Sequence, residues 1–234
     1  MAEIENPSRP LFPLCAIVDV DVASRAGWAP LDLASAYLNG GARFLQVRAK
    51  LLASGAFLDL AARIVEIGRG AGAIVVVNDR VDVARLSNAD GVHVGQDDLR
   101  PAAARAIVGL DAVVGVSTHT EAQIDAALDQ PISYLAVGPI YGTSTKATGY
   151  GAVGLERVRY AAQKVRLEAD PTTAAHVGSG CSRTIDIVAI GGITLDTARE
   201  GIDAGATSVA VITDLLAHGD PEARVRAYLA RLAG

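Results

Sequence analysis

The chain has 234 residues, half of them apolar, 20% charged and only 4% aromatic, with 21 basic against 26 acidic side chains and a formal charge of −5. That balance argues against a nucleic-acid partner, which calls for a basic surface, and no apolar run approaches the ~18–20 residues needed to span a bilayer. The basic side chains divide unevenly into 18 arginines and three lysines, Lys50, Lys146 and Lys164.

Short β-branched runs alternate with Ala/Leu-rich amphipathic stretches. Strands are predicted at Leu14–Asp19, Phe44–Arg48, Ile74–Asn78, Gly91–Val94, Val113–Ser117, Tyr134–Val137, Ile185–Ile190 and Ser208–Ile212. Helices are predicted around Leu31–Leu38, Ala56–Arg69, Val81–Leu86, Pro101–Val108, Glu121–Leu128, Leu155–Lys164, Thr197–Ala204 and Pro221–Leu232. Repeated βα units with near-continuous apolar strands imply a parallel sheet covered by helices. Eight such units favour closure into a single (β/α)8 barrel over residues 1–234, and no G-x-G-x-x-G follows the first strand to support an open dinucleotide-binding sheet. Leu167–Arg183 is polar and aperiodic, and reads as a surface insertion on the face opposite the strand C-termini. Cys15 and Cys181 lack metal-ligand spacing and read as thiols in a reducing compartment. Met1–Pro10 is polar and acidic, unlike a secretory signal, so a cytoplasmic protein is expected.

In such barrels chemistry sits at the C-terminal ends of the strands, and the unusual polar residues follow strands. The second strand runs into Gln46-Val47-Arg48-Ala49-Lys50. Alternation puts Gln46, Arg48 and Lys50 on one side, and a guanidinium beside an ammonium suits phosphate or diphosphate. The third strand ends in Asn78-Asp79-Arg80, and the fourth leads to Gly95-Gln96-Asp97-Asp98. Paired carboxylates facing cations fit a Mg²⁺–diphosphate site; the alternative is that Asp79 and Asp98 cap the helices that follow. His93 reads as a hydrogen-bonded barrel-interior histidine. Ser117, after the fifth strand, reads as a donor to a phosphate or substrate oxygen, since spacing assembles no acid–base triad around it. Thr120 is a candidate N-cap.

The longest ligand-side loop follows the sixth strand: Gly138-Pro139-Ile140-Tyr141-Gly142-Thr143-Ser144-Thr145-Lys146. It offers hydroxyls, backbone N–H groups and a lysine to phosphate oxygens, and its alternative is a polar lid. The seventh and eighth strands end in Gly191-Gly192-Ile193-Thr194 and Ile212-Thr213-Asp214, where barrels commonly bind a second phosphate. Two phosphate-type sites, one with paired carboxylates, imply two phosphorylated substrates and diphosphate as a leaving group, whose stabilisation would carry much of the catalysis.

In order along the chain, Gln46-Val47-Arg48-Ala49-Lys50, Asn78-Asp79-Arg80, Gly95-Gln96-Asp97-Asp98, Gly115-Val116-Ser117, Gly138-Pro139 through Lys146, Gly191-Gly192-Ile193 and Ile212-Thr213 resemble the motifs of the thiamine phosphate synthase family. The resemblance implies a Mg²⁺-dependent transferase that joins hydroxymethylpyrimidine diphosphate to the nitrogen of a thiazole phosphate through a cation-like pyrimidine. It further implies that Gln46, Val47, Arg48, Ala49, Lys50, Asn78, Ser117 and Lys146 hold the pyrimidine diphosphate, with Arg48, Lys50, Ser117 and Lys146 catalytic. Asp79 and Asp98 would hold Mg²⁺, and Thr143, Ser144, Thr145, Gly192, Ile212 and Thr213 the thiazole phosphate. The expected partners are small phosphorylated substrates, with the chain a monomer or homodimer. Ala49 replaces a frequent acidic residue, Thr213 a serine, and Tyr141-Gly142 an aromatic–Pro pair. Rival readings are a thiazole tautomerase-like paralogue, for which His119 would suit the acid–base step, and a non-catalytic phosphate-binding barrel. Neither uses the whole Gln46–Lys50, Asp79 and Asp98 constellation.

Overall fold

Runs such as Ile74-Val75-Val76-Val77 bury side chains on both faces, which requires a sheet covered on both sides. In the computed structural model, which describes residues 11–142, 151–169 and 185–234, they form β1 (Leu14–Asp19), β2 (Phe44–Arg48), β3 (Ile74–Asn78), β4 (Gly91–Val94), β5 (Val113–Thr118), β6 (Tyr134–Val137), β7 (Asp186–Ile190) and β8 (Ser208–Val211). Neighbouring strands pair in parallel in chain order, and β8 returns to β1 with Leu14 opposite Val209 and Cys15 opposite Ala210, closing a barrel.

Alternation along each strand divides the apolar residues into two clusters. Cys15, Ile17, Phe44, Ile74, Val76, Tyr134, Val188 and Ala210 fill the barrel, together with Leu11, whose N–H donates to Asp186 at 3.2 Å. Leu14, Ala16, Leu45, Val47, Val75 and Val77 point outward into the larger core beneath the helices. Each fully buried Val, Leu or Ile contributes about 1.5–3 kcal/mol to the folded state. Cys15 is a buried cysteine, while Cys181 lies outside the described residues.

The helices are α1 (Val20–Arg25), α2 (Pro30–Asn39), α3 (Ser54–Gly70), α4 (Val81–Leu86), α5 (Pro101–Val108), α6 (Glu121–Leu128), α7 (Gly154–Ala169), α8 (Ala198–Asp203) and α9 (Pro221–Ala233). Proline opens α2, α5 and α9, where its missing N–H costs nothing. Thr120 caps α6 as expected, accepting from the Gln123 N–H at 3.2 Å while the Gln123 side chain accepts from the Thr120 N–H.

Two elements differ from the sequence reading by their presence: α1 and a run of 3₁₀ turns over Thr213–Gly219. Both are too short to show helical periodicity. Helix α7 runs on to Ala169, so the first residues assigned to the 167–183 insertion continue that helix, and the rest of the insertion lies outside the described residues. No helix among the described residues is long and apolar enough to cross a membrane.

Candidate active site

The strand C-termini surround a cavity of about 1030 Å³, lined by Arg48, Lys50, Asn78, Asp79, Asp98 and Ser117 on one side and by Gly191, Gly192, Ile212 and Thr213 on the other. Such a volume lies at the upper end of small-molecule pockets.

Register sets the cationic wall. Asp19 and Arg48 are the last residues of β1 and β2 and lie opposite each other. Asp19, only 2% exposed, accepts from the Arg48 guanidinium and from the Val22 N–H at 3.0 Å, which starts α1. One carboxylate therefore both aims the arginine and caps the helix. Lys50 pairs with Asp79. Gln46 lies deeper, 3% exposed and among the barrel-filling side chains rather than on the cavity wall, and its Oε1 has no hydrogen-bond partner. The side chains of Val47 and Ala49 point into the core beneath the helices, leaving only their backbone for a ligand.

The carboxylates do not act as helix caps. Arg80 and Arg100 occupy the cap positions of α4 and α5, and neither helix start carries a side-chain capping bond. Asp79 instead adopts a left-handed backbone (φ 63°), with its N–H bound to the His93 carbonyl at 2.7 Å. Asp98 accepts from the Gly95 N–H at 2.7 Å and hydrogen-bonds Asp79. Burial pushes the Asp79 carboxyl up, but the hydrogen bonds from Lys50 and Asp98 outweigh it and hold the group below its ordinary value. Burial, with the nearby Asp79 charge, leaves Asp98 above its ordinary value despite the Gly95 N–H. Perturbed carboxyls gathered in a cleft are candidates for a functional site.

The donor set fits a hard divalent cation. Mg²⁺ takes one or two protein carboxylates and completes its shell with water and phosphate oxygens. Asp79 and Asp98 supply two carboxylates within hydrogen-bonding distance of each other, with Arg48 and Lys50 on the same wall. Among the described residues no cluster of three or more acidic, His or Cys side chains offers a fully protein-made cage.

On the opposite wall the backbone comes close to any ligand. Gly191 (φ 99°) and Gly192 (φ 67°) take conformations that side chains disfavour, and a Cβ on Gly192 would stand 2.7 Å from the Gly142 carbonyl oxygen. The loop beyond β6 is pinned to this wall by Ile140 N–H to Ile190 O at 2.9 Å and Tyr141 N–H to Gly191 O at 3.0 Å. The Tyr141 hydroxyl donates to Glu200 at 2.7 Å. Thr143, Ser144, Thr145 and Lys146, four of the expected ligand contacts, lie outside the described residues.

Sequence reasoning missed several contributors. Asp214 accepts from the Leu195 N–H at 3.1 Å, from Arg224 at 2.7 Å and from the Tyr228 hydroxyl, tying the loops after β7 and β8 to α9. Its place just beyond β8 was the only signal. Arg25 lines the cavity with no ion-pair partner among the described residues. His93 is the buried interior histidine expected, but its ring bridges Ser117 and Tyr134, a juxtaposition that strand spacing did not show.

A closed parallel barrel that gathers cations, paired carboxylates and a glycine-lined wall beyond its strand C-termini defines a phosphate-handling (β/α)8 enzyme. The chain belongs to the thiamine monophosphate synthase family, whose profile matches residues 14–215. It is 40% identical over 211 residues to a thiamine-phosphate synthase of Arthrobacter sp. (strain FB24), covering 86% of this chain and 87% of that one. The one from Chlorobium luteolum is 34% identical over 227 residues, covering 97% and 95%. A thiamine biosynthesis bifunctional protein of Symbiobacterium thermophilum is 41% identical over 204 residues, and the match spans 87% of this chain but only 39% of that longer protein. Among solved structures, a thiamine phosphate pyrophosphorylase from Pyrococcus furiosus superposes with a TM-score of 0.77 at 25% identity, covering 95% and 98% of the two chains. These relatives place the chain among transferases of thiamine biosynthesis.

Proposed function

We propose that the chain joins hydroxymethylpyrimidine diphosphate to a thiazole phosphate, releasing diphosphate and forming thiamine phosphate. The observation that carries this reading is the shared cavity: Arg48, Lys50, Asp79, Asp98 and Ser117 face the glycine-lined wall of Gly192, Ile212 and Thr213 across one space. Cations and a metal-competent carboxylate pair on one side suit a diphosphate. Close backbone approach on the other suits a monophosphate.

Asp79 and Asp98 would hold Mg²⁺, which when bound neutralises diphosphate charge. Arg48 and Lys50 bind the diphosphate oxygens, Arg48 through its fork and Lys50 as a point charge, and Lys146 is assigned to the same group. Thr143, Ser144, Thr145, Gly192, Ile212 and Thr213 are assigned to the thiazole phosphate. As the pyrimidine C–O bond breaks, its electron pair leaves with diphosphate and the ring methylene becomes cationic. The thiazole nitrogen then donates its lone pair to form the C–N bond. Charge grows on the leaving group, where the fixed cations and N–H donors stabilise the transition state more than the ground state. In this reading the partners are small molecules only, and the chain works in the cytoplasm as a monomer or homodimer.

The test mixes purified protein with both substrates and Mg²⁺ and follows thiamine phosphate and diphosphate. EDTA and Asp98→Asn, which keeps an acceptor for the Gly95 N–H, serve as controls. Product that depends on both substrates and falls at least about 100-fold in each control is expected, in the range lost with a group stabilising transition-state charge. Absence of product, or equal turnover in the controls, would sink the proposal.

A further inference from the structure

The buried side chains beneath the cavity form a hydrogen-bonded line. The Tyr134 hydroxyl lies 2.9 Å from His93 Nδ1, and His93 Nε2 lies 2.8 Å from Ser117 Oγ. The two rings stack with centroids 5.5 Å apart. Tyr134 is 1% exposed and His93 3%, whereas Ser117 reaches the cavity. The position is built for this ring: a Cβ on Gly115 would stand 2.0 Å from Tyr134 Cζ, so only glycine opposite admits it.

Hydrogen-bond satisfaction sets the direction of the line. A buried hydroxyl must place its proton on an acceptor or forfeit a hydrogen bond. Of the polar side chains beside Tyr134, the Oε1 of Gln46 accepts nothing and the Cys15 sulfur is a weak acceptor, so the Tyr134 proton goes to the stronger acceptor, His93 Nδ1. Burial pushes the Tyr134 hydroxyl well above its ordinary pKa, which keeps it a neutral donor. A neutral imidazole that accepts at Nδ1 carries its proton on Nε2. That proton points at Ser117 Oγ and occupies one of its lone pairs. The Ser117 hydroxyl proton is thereby left to point into the cavity, toward the wall shared by Arg48 and Lys50.

The geometry points to Tyr134 and His93 as positioning residues that fix Ser117 as a one-way hydrogen-bond donor to the departing diphosphate. No proton is transferred; the line orients and polarises one hydroxyl. Without it, Ser117 is free to turn its proton onto the histidine and present only lone pairs, which repel an anion. The inference rests on the diphosphate-releasing reading above and extends it to two residues that act through Ser117.

The experiment is a double-mutant cycle on kcat and on the KM of both substrates, using Tyr134→Phe, Ser117→Ala and their combination. Tyr134→Phe removes one oxygen and retains the ring. The expected result is a fall in kcat of about tenfold for Tyr134→Phe, the worth of one hydrogen bond, with each KM held within about twofold, since the effect belongs to the transition state. With Ser117→Ala present, Tyr134→Phe should cost nothing further, because its effect passes through that hydroxyl. A purely structural role for Tyr134 would instead lower the melting temperature and multiply with Ser117→Ala. Either multiplicative losses or an unchanged kcat in Tyr134→Phe overturns the inference. Should Tyr134→Phe fail to fold, His93 carries the test: His93→Gln, whose amide can still donate to Ser117, should retain far more kcat than an equally folded His93→Leu, and equal losses overturn it. If the parent enzyme makes no thiamine phosphate, the reaction assignment fails and the inference with it. If the parent turns over normally and the cycle is multiplicative, the inference alone fails.

Discussion

Asp19 offers the sharpest test of how the cationic wall is built, because one carboxylate carries two separable tasks. Its side chain is 1% exposed and that of Arg48 12%, so solvent screens their attraction little. Asp19→Asn keeps an oxygen for the Val22 N–H but removes the charge; Asp19→Ala removes both. Breaking a sealed buried pair costs about 3–5 kcal/mol, but Arg48 faces a water-accessible cavity and can rehydrate. A charge-assisted hydrogen bond worth about 1.5–3 kcal/mol is the better guide, giving about 2 kcal/mol for the asparagine variant. The lost N-cap adds about 1 kcal/mol for alanine. In a domain of this size each kcal/mol moves the melting temperature by about 2–4 °C, so Asp19→Asn should melt about 4–8 °C lower and Asp19→Ala lower still. With Arg48 no longer aimed, the KM for the pyrimidine diphosphate should rise while that for the thiazole phosphate changes little. Urea unfolding, thermal melts and steady-state kinetics read these quantities. An asparagine variant within about 0.5 kcal/mol of the parent, the scatter of an ordinary surface change, or with an unaltered diphosphate KM, would refute the claim that Asp19 aims Arg48.

Two further changes probe the opposite wall. Gly192→Ala imposes about 1–2 kcal/mol of left-handed backbone strain and pushes its methyl group toward the Gly142 carbonyl and Tyr141; kcat/KM for the thiazole phosphate should fall at least about tenfold, given how sharply rate depends on placement, and parental kinetics would contradict this. Asp214→Asn weakens the bonds to Arg224 and Tyr228; amide exchange in α9 and at Leu195 should accelerate, and unchanged protection would remove Asp214 as the tie between them.

Much of the barrel was legible because its strands are written as short continuous apolar runs between glycine-rich turns. The bounds of β1, β2, β3, β4 and β6 coincide with those read from sequence. The cavity-lining positions Arg48, Lys50, Asn78, Asp79, Asp98 and Ser117 were equally visible, since polar residues directly after apolar strands stand out. Pairing across strands was not. Asp19 looked like the end of a strand, and only the β1–β2 register shows that it faces Arg48. Strand alternation placed Gln46 on the same side as Arg48, correctly, but not its depth below the cavity. The same limit hid the Tyr134–His93–Ser117 line, whose members sit on three strands and meet only across the barrel interior.

Closure of the barrel by β8 against β1 has a consequence for biosynthesis. The first strand leaves the ribosome well before the eighth, and its second edge has no partner until nearly two hundred further residues have followed. Until then β1 presents an open edge, the kind of surface that templates association with other nascent chains. Pairing of such distant segments is slow to form. The substrates give no early help, because the two walls that would grip them belong to opposite ends of the sequence and ligand binding stabilises only a state in which both exist. A message truncated before β8 should therefore yield an aggregating product rather than a weakened enzyme.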